Sequence, residues 1–362
     1  MNPKRYIRQT SLKEFGSVSQ KKLSLAKVLV VGVGGLGVPV LQYLNAMGVG
    51  TLGVIDNDFI HLANLQRQVL YSENDLGKSK AEVASKKLKA QNSETNFIIF
   101  KEKLQTENAL NIIEKFDIIV DASDNFPTRY LINDACVISN KPFVYGALQA
   151  FEGQVSVFNY KNGPTYRCLF PKMPSAEEIP DCNVNGVLGV IPGIIGCLQA
   201  LEVVKIITEL GEILSGKLLL FDGLTQKQQS INFKLKPENL QISELQSNYG
   251  FNESSQINSI SATNFLKLQN FDDFQVIDVR NADEIDFQKQ KKLFPKNWIH
   301  IPLTDLERRI SEINLQQKTY FVCQSGVRSK KAISLLKNNS SPENLINIEG
   351  GMNALNEISI KI

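Results

Sequence analysis

Two groups of residues in this 362-residue chain have types and spacings that could do chemistry. The first begins at VGVGGLG over 31–37, where Gly32, Gly34 and Gly37 form a G-x-G-x-x-G turn that also contains Gly35. Asp56 follows 24 positions after Gly32. Beyond it come Asn64 and Arg67 in NLQRQ, Lys80 in GKSK, and Asp124 and Asn125 in DASDN. Glycines in such a turn let the backbone approach a phosphate, and the helix N-terminus beyond it offers amides to an anion. An acidic residue at that distance suits a ribose hydroxyl. A redox dinucleotide needs no more. The further Arg, Lys and Asp are the groups that would hold a triphosphate and its magnesium. Fixed cations meet the charge that builds on the phosphoryl oxygens and on departing pyrophosphate. A carboxylate supplies an oxygen ligand to Mg²⁺. The pattern reads as ATP-dependent adenylation of a carboxylate. Singly, each residue also has a plain reading as a solvated charge or a cap, and the glycines alone fit an NAD-dependent oxidoreductase.

The second group is Cys323-Gln324-Ser325-Gly326-Val327-Arg328-Ser329, which ends the apolar run TYFVC and enters a helix. Successive amides of such a loop point inward and make an anion nest, which with the helix dipole would stabilise an anionic sulfur on Cys323. Arg328 would add positive charge at the rim. Four residues separate Cys323 from Arg328, whereas a cysteine phosphatase loop has five, so the cradle is smaller and better matched to sulfur than to a phosphate ester.

The elements that must position these groups are legible as apolar runs. KVLVVG, LGVID, NFIIF, DIIVD and FVYGAL alternate with helical stretches and predict a parallel sheet covered on both faces. QVSVFNY alternates as a later antiparallel strand, and KLLLFDGL with KQQSINFKL reads as a hairpin. Residues 187–210 read as a buried helix with a break at Pro192, not a membrane span, because Gln199, Glu202 and Lys205 interrupt it. Composition turns polar near Lys236, and a second small α/β unit follows with strands QVIDVR, WIHIP, TYFVC and LINIEG and helices near 262, 304, 327 and 351. The expected fold class is therefore α/β: a Rossmann-like, mostly parallel sheet with an antiparallel extension over 1–236, a linker over 237–258, and a small α/β domain over 259–362.

Hydrophobic residues make up 43% of the chain and charged residues 21%, as in packed globular domains. A net charge of +3 gives no ground for a nucleic-acid or membrane-surface partner. The N-terminal run lacks the apolar core of a secretory signal, and five widely spaced cysteines fit reduced thiols, so a cytoplasmic location is expected.

Taken together, RYIRQ at 5–9, VGVGGLG at 31–37, D-x-D at 56–58, NLQRQ at 64–68, GKSK at 77–80 and DASDN at 121–125 resemble the MoeB/ThiF (HesA) family, relatives of ubiquitin-activating enzymes, over roughly residues 5 to 235. The resemblance implies a homodimer that adenylates the C-terminal glycine of a ubiquitin-like sulfur-carrier protein ending in Gly-Gly. It implies ribose binding by Asp56, phosphate contacts from Asn64, Arg67 and Lys80, and magnesium on Asp124, with Asn125 beside it. Arg8 matches the arginine that reaches the partner's ATP, and Arg129 is implied to support the pocket. Cys182, in PDCNVNGVLGV within the Pro- and Gly-rich stretch 162–185, sits where a family cysteine can attack the adenylate or receive sulfur; an inert loop thiol is the equal alternative. The region from about 259 onward resembles a rhodanese (sulfurtransferase) domain, carried by the Cys323 loop with VIDVR at 276–280, IHIP at 299–302 and EGGM at 349–352. This implies a Cys323 persulfide loaded from thiosulfate or a cysteine desulfurase persulfide, and delivered to the adenylate as a thiocarboxylate.

One departure matters. Relatives of this type hold a structural zinc with two C-x-x-C pairs. Here the first pair is Thr165-Tyr166-Arg167-Cys168, PENLQIS stands where the second should lie, and no C-x-x-C occurs in the chain. A tetrahedral structural site needs four N or S ligands, so no zinc is expected. The expected cofactors are ATP and Mg²⁺. Two other functions stay open: an NAD-dependent oxidoreductase fused to a sulfur-binding module, and a non-catalytic scaffold for a ubiquitin-like partner.

Overall fold

The computed structural model describes residues 2–174, 186–249, 257–268, 273–285, 298–336 and 342–359. The chain divides into two units, Met1–Tyr249 and Gly250–Ile362.

The first unit is built on eight strands: β1 Lys27–Val31, β2 Thr51–Ile55, β3 Asn96–Phe100, β4 Ile118–Asp121, β5 Phe143–Gln149, β6 Glu152–Phe158, β7 Lys217–Asp222 and β8 Lys227–Asn232. Their order is β3-β2-β1-β4-β5-β6-β7-β8. The first five are parallel and the last three antiparallel, as the apolar runs and the hairpin predict. All four residues of β4 are buried, which is why that strand reads as a continuous apolar run. β8 is exposed along its length and polar, as suits an edge strand. The order reverses between β1 and β4. Ligands of open α/β sheets bind outside the carboxyl ends of the strands at such a point, and here the glycine turn leaves β1 beside the 121–125 loop leaving β4.

The helix Val190–Thr208 packs against β5, β6 and the helix Gly37–Ala46. Pro192 does not break it. The proline is the third helical residue, where the backbone amide has no intrahelical partner to lose. By length and composition this helix could cross a membrane, but half of its most apolar window is buried inside the unit. Buried Gln199 donates from Nε2 to the Asp121 carbonyl at 2.7 Å and lies 3.4 Å from the Val144 carbonyl, so the helix also braces the ends of the central strands.

Residues 237–249, expected to open the linker, pack on the first unit. Tyr249 is 1% exposed and its hydroxyl donates to Asp134 Oδ2 at 2.7 Å. The same carboxylate takes Arg167 through two bonds of 2.7 Å. A single buried tyrosine in a polar stretch carries no periodicity, which is why the sequence reads as linker there.

The second unit is a five-stranded parallel sheet in the order β11-β10-β12-β13-β9, with β9 Asn258–Ser261, β10 Phe274–Asp278, β11 Trp298–His300, β12 Lys318–Val322 and β13 Leu345–Glu349. β9, short and polar at the edge, was not expected. Alternate residues divide between two cores: Val276, Tyr320 and Ile348 on one side, Ile277, Phe321 and Leu345 on the other. Helices Ala262–Leu266, Val327–Leu336 and Gly351–Ser359 cover the sheet. Near Thr304 the expected helix is replaced by two single 3₁₀ turns, Leu303–Asp305 and Ile310–Glu312, the second closed by Arg309 gripping Glu312 with two bonds of 2.7 Å.

Candidate active sites

In the first unit a cleft of about 710 Å³ opens at the switch point. It is lined by Gly32, Gly34, Gly35, Asp56, Asn64, Arg67, Lys80, Asp124, Asn125 and Arg129. Gly37 lies beneath: a Cβ there would stand 1.9 Å from the Gly32 carbonyl oxygen, so only glycine lets the helix start this close to the strand. Gly32 has φ +94° and faces the Ala122 carbonyl, so it too is required by backbone conformation.

Asp56 is fixed by the turn it serves. Oδ2 accepts Val33 N and Oδ1 accepts Asp58 N, both at 2.7 Å. Burial pushes this carboxyl above its ordinary range, with those two amides and Lys80 pulling the other way. Lys80, at the first position of the helix Lys80–Gln91, is buried and donates from Nζ to Asp58 Oδ2 at 2.8 Å. The Tyr71 hydroxyl lies 3.0 Å from the Val33 carbonyl and 3.2 Å from that of Lys80, tying the glycine turn to the lysine. Asn64 Oδ1 accepts His61 N, and Arg67 Nη1 donates to the carbonyl of Ala63, each at 3.0 Å. Asn125 caps the helix Phe126–Ile138, accepting Thr128 N at 2.9 Å, with Pro127 in the first turn. Asp124 beside it is exposed, so its carboxylate is open to an incoming cation.

Behind this loop lies a polar support. Ser123 N and Oγ donate to Asp121 Oδ1 at 3.0 and 2.6 Å, and the Ser123 carbonyl accepts Arg129 Nη2 at 3.4 Å. Arg129, 8% exposed, lies over the rings of Phe126 and Tyr145 with Cζ at 5.1 and 5.6 Å. Burial raises the Asp121 carboxyl, and Arg129 opposes that most. Gln68 lines the cleft as well, and among the described residues its buried Oε1 has no hydrogen-bond partner. Asp58 completes the D-x-D run at 56–58 but takes no role from it; Gln68, Tyr71 and Asp121 stand inside or beside runs read in the sequence, and nothing in their spacing singles them out.

Arg8, on the helix Ile7–Thr10, is exposed and does not line the cleft of its own chain. Cys182 lies outside the described residues. Cys168 is buried and takes hydrogen bonds at Sγ from Thr165 N at 3.4 Å, Lys236 N at 3.3 Å and Asn239 Nδ2 at 3.4 Å, with the Thr165 hydroxyl also at 3.4 Å. Burial opposes ionisation of this thiol, but the Thr165, Asn239 and Lys236 donors outweigh it and set the group below its ordinary value. Among the described residues no cluster of three or more His, Cys, Asp or Glu could hold a metal ion.

In the second unit Cys323 is fully buried at the end of β12. Its Sγ accepts Gly326 N at 3.1 Å and lies 3.4 Å from Ser329 Oγ, which is itself 2.6 Å from Asn347 Oδ1. The EGGM run explains itself here. Gly350 and Gly351 take positive φ, and Met352 N donates to the Cys323 carbonyl at 2.8 Å. Arg280, at the end of VIDVR, is clamped to Asp278 by bonds of 3.0 and 2.7 Å. Arg328 is not the free rim cation the sequence suggests: both its terminal nitrogens donate to Glu284, each at 2.6 Å.

A family model described as ThiF family matches residues 6–242, and one described as rhodanese-like domain matches 261–357. The chain belongs to the ThiF family. This ThiF-family chain is 40% identical to a Xenopus laevis protein named adenylyltransferase and sulfurtransferase MOCS3, covering 97% of this chain and 85% of that one. A Thermus thermophilus sulfur carrier protein adenylyltransferase is 48% identical over 64% of this chain and 88% of its own length. A Porphyra purpurea protein named probable molybdopterin-synthase adenylyltransferase is 38% identical, covering 98% of this chain and 93% of itself. Among solved structures, E. coli MccB with ATP is 27% identical with a TM-score of 0.58, over 64% of this chain and 72% of MccB.

Proposed function

We propose that the first unit binds ATP in the switch-point cleft and adenylates the C-terminal glycine of a ubiquitin-like sulfur-carrier protein, and that the second unit supplies sulfur from Cys323. The observation that carries this reading is the convergence on one cleft of the Gly32–Gly37 turn, Asp56, Asn64, Arg67, Lys80 and Asp124. The names of the Xenopus and Thermus relatives support it, and that of the Porphyra relative favours a molybdopterin pathway over thiamine synthesis or tRNA thiolation.

In this reading Asp56 takes the ribose, the glycine-turn amides and Asn64 take phosphate, and Arg67 and Lys80 meet the charge that grows as pyrophosphate departs. The carrier's terminal carboxylate attacks the α-phosphorus in line, pyrophosphate leaves, and the acyl-adenylate has AMP as a leaving group. Asp124, open to the cleft, suits an oxygen ligand for Mg²⁺, which when bound would neutralise phosphate charge. Arg8 acts in trans within a homodimer, a role supported by its exposure and its place outside its own cleft. No structural zinc is needed, because hydrogen bonds already take up the Cys168 sulfur. Cys323 carries the sulfane sulfur, taken from thiosulfate or from a cysteine desulfurase persulfide, and the loop amide of Gly326 stabilises its charge. The outer sulfur of the Cys323 persulfide attacks the acyl carbon and AMP leaves. A second thiol, that of Cys182 or of an external thiol reductant, then attacks the Cys323 sulfur of the acyl disulfide, so the thiocarboxylate leaves with the electron pair and a disulfide remains. Free Cys136, Cys168, Cys197 and Cys323 favour a cytoplasmic location. An NAD-dependent oxidoreductase would leave Lys80 and Asp124 without work.

The test is mass spectrometry of a Gly-Gly carrier incubated with the full chain, Mg-ATP, a sulfur source and a thiol reductant. The expected product is the carrier thiocarboxylate, one oxygen replaced by sulfur. An unmodified carrier with ATP left unspent would refute the reading.

A further inference from the structure

Arg328 follows Cys323 by five positions, and its guanidinium is spoken for. Nη1 donates to Glu284 Oε2 and Nη2 to Glu284 Oε1, a two-point pair across 44 positions of sequence. Glu284 is held from behind. Its Oε2 also accepts Asn281 N at 2.9 Å, and its carbonyl accepts Arg280 Nη1 at 3.2 Å, while Arg280 is itself anchored on Asp278 at the end of β10. The carboxylate is thus fixed by the sheet. Side chains of the pair remain 24% and 27% exposed, so a dissolved anion can reach them. The sulfur has a donor other than Arg328, because the loop amide of Gly326 points at Sγ.

We propose that Glu284 is a donor-specificity residue for sulfur loading. By compensating Arg328 it lowers the attraction of the Cys323 loop for small, doubly charged donors such as thiosulfate, while the Gly326 amide keeps its bond to the sulfur. This rests on the reading that Cys323 carries sulfane sulfur. With thiosulfate, the Cys323 thiolate attacks the outer sulfur. A Cys–S bond forms, the bond to the sulfonate sulfur breaks, and sulfite leaves with the electron pair. Cyanide then takes the outer sulfur as thiocyanate and the thiolate returns, so no further oxidant or reductant is required.

The test is the thiosulfate–cyanide reaction of the full chain carrying Glu284→Gln. A glutamine oxygen can still accept one Arg328 bond, so the arginine stays placed while the compensating charge is gone. Because the pair is partly exposed, the expected fall in KM for thiosulfate is modest, about threefold at low salt, with kcat unchanged. The gain should fade at high ionic strength and be smaller for methanethiosulfonate, which carries one charge rather than two. Glu284→Asp, which keeps the charge, should retain the wild-type KM and guards against a folding defect in the glutamine variant. An unchanged or higher KM in Glu284→Gln, or an equal fall in Glu284→Asp, overturns the proposal. Cys323→Ser separates the two readings: thiocyanate formation that survives it refutes sulfur carriage on Cys323, whereas its loss beside an unchanged Glu284→Gln refutes only the role of Glu284.

Discussion

Lys80 and Asp58 form an uneven pair in the switch-point cleft. The ammonium is nearly buried, the carboxylate mostly exposed, and they meet at 2.8 Å. A buried ammonium needs a counter-charge, and here the protein supplies one at the edge of solvent. Phosphate can therefore take over Lys80 without stranding Asp58, which water can solvate. Lys80→Ala should accordingly separate function from stability. Adenylate formation should fall by at least about 100-fold, as for loss of a group that meets transition-state charge. The unfolding free energy should change by less than about 1 kcal/mol, because no buried charge is left unpaired. Parallel assays of adenylate and of denaturant midpoint check this, and a variant that unfolds in step with its activity loss would contradict it.

Cys168 holds residues 236–239 against the Tyr166–Leu169 turn through hydrogen bonds to one sulfur. Cys168→Ala would leave the Lys236 and Asn239 donors unpaired near the surface of that knot. The expected loss is about 1–3 kcal/mol of stability, read as a lower urea midpoint. Metal analysis of the wild-type protein should find less than stoichiometric zinc. One tightly held zinc per chain would show that the sulfur has metal rather than hydrogen-bond partners.

How much of this was open to view in the sequence follows from range. β1 to β5 are legible because a parallel strand buried on both faces must be apolar throughout, and the glycine turn because Gly37 serves a contact only five residues away, with Gly32. Contacts between partners far along the chain are not legible in this way. Glu284 meets Arg328 across 44 residues, and Tyr249 reaches Asp134 across 115. Asp121 and Gln68 show their importance only through burial without full pairing. Pro192 misled in the opposite direction: a proline predicts a break, but in a first turn it costs the helix no hydrogen bond.

Acid should loosen the second unit through Glu284. Arg328 holds this carboxyl down from 4.5 to about 2. A carboxylate with a depressed folded value contributes stability above its unfolded value and loses it as pH falls through the folded one. The contribution should thus be intact at neutral pH and drain away between about pH 4.5 and 2. Unfolding of the full chain, followed across that range, should be less pH-dependent in Glu284→Gln. Identical slopes in wild type and variant would show that the pair adds nothing to stability.

Arg8 offers a test of assembly. Alone, Arg8→Ala and Lys80→Ala should each be inactive in adenylation. Mixed and re-associated, they should recover about a quarter of wild-type activity, since half of the dimers formed at random contain one site with both residues intact. No recovery after verified subunit exchange would contradict an Arg8 that acts across a dimer.

The most direct measurement is carrier-dependent exchange of labelled pyrophosphate into ATP by the full chain with Mg²⁺. If the switch-point cleft adenylates a carboxylate, label should enter ATP only when the Gly-Gly carrier is present, and Asp124→Ala should stop it. Exchange that persists in Asp124→Ala, or no exchange in the wild-type protein with any Gly-Gly carrier, would contradict the adenylating cleft.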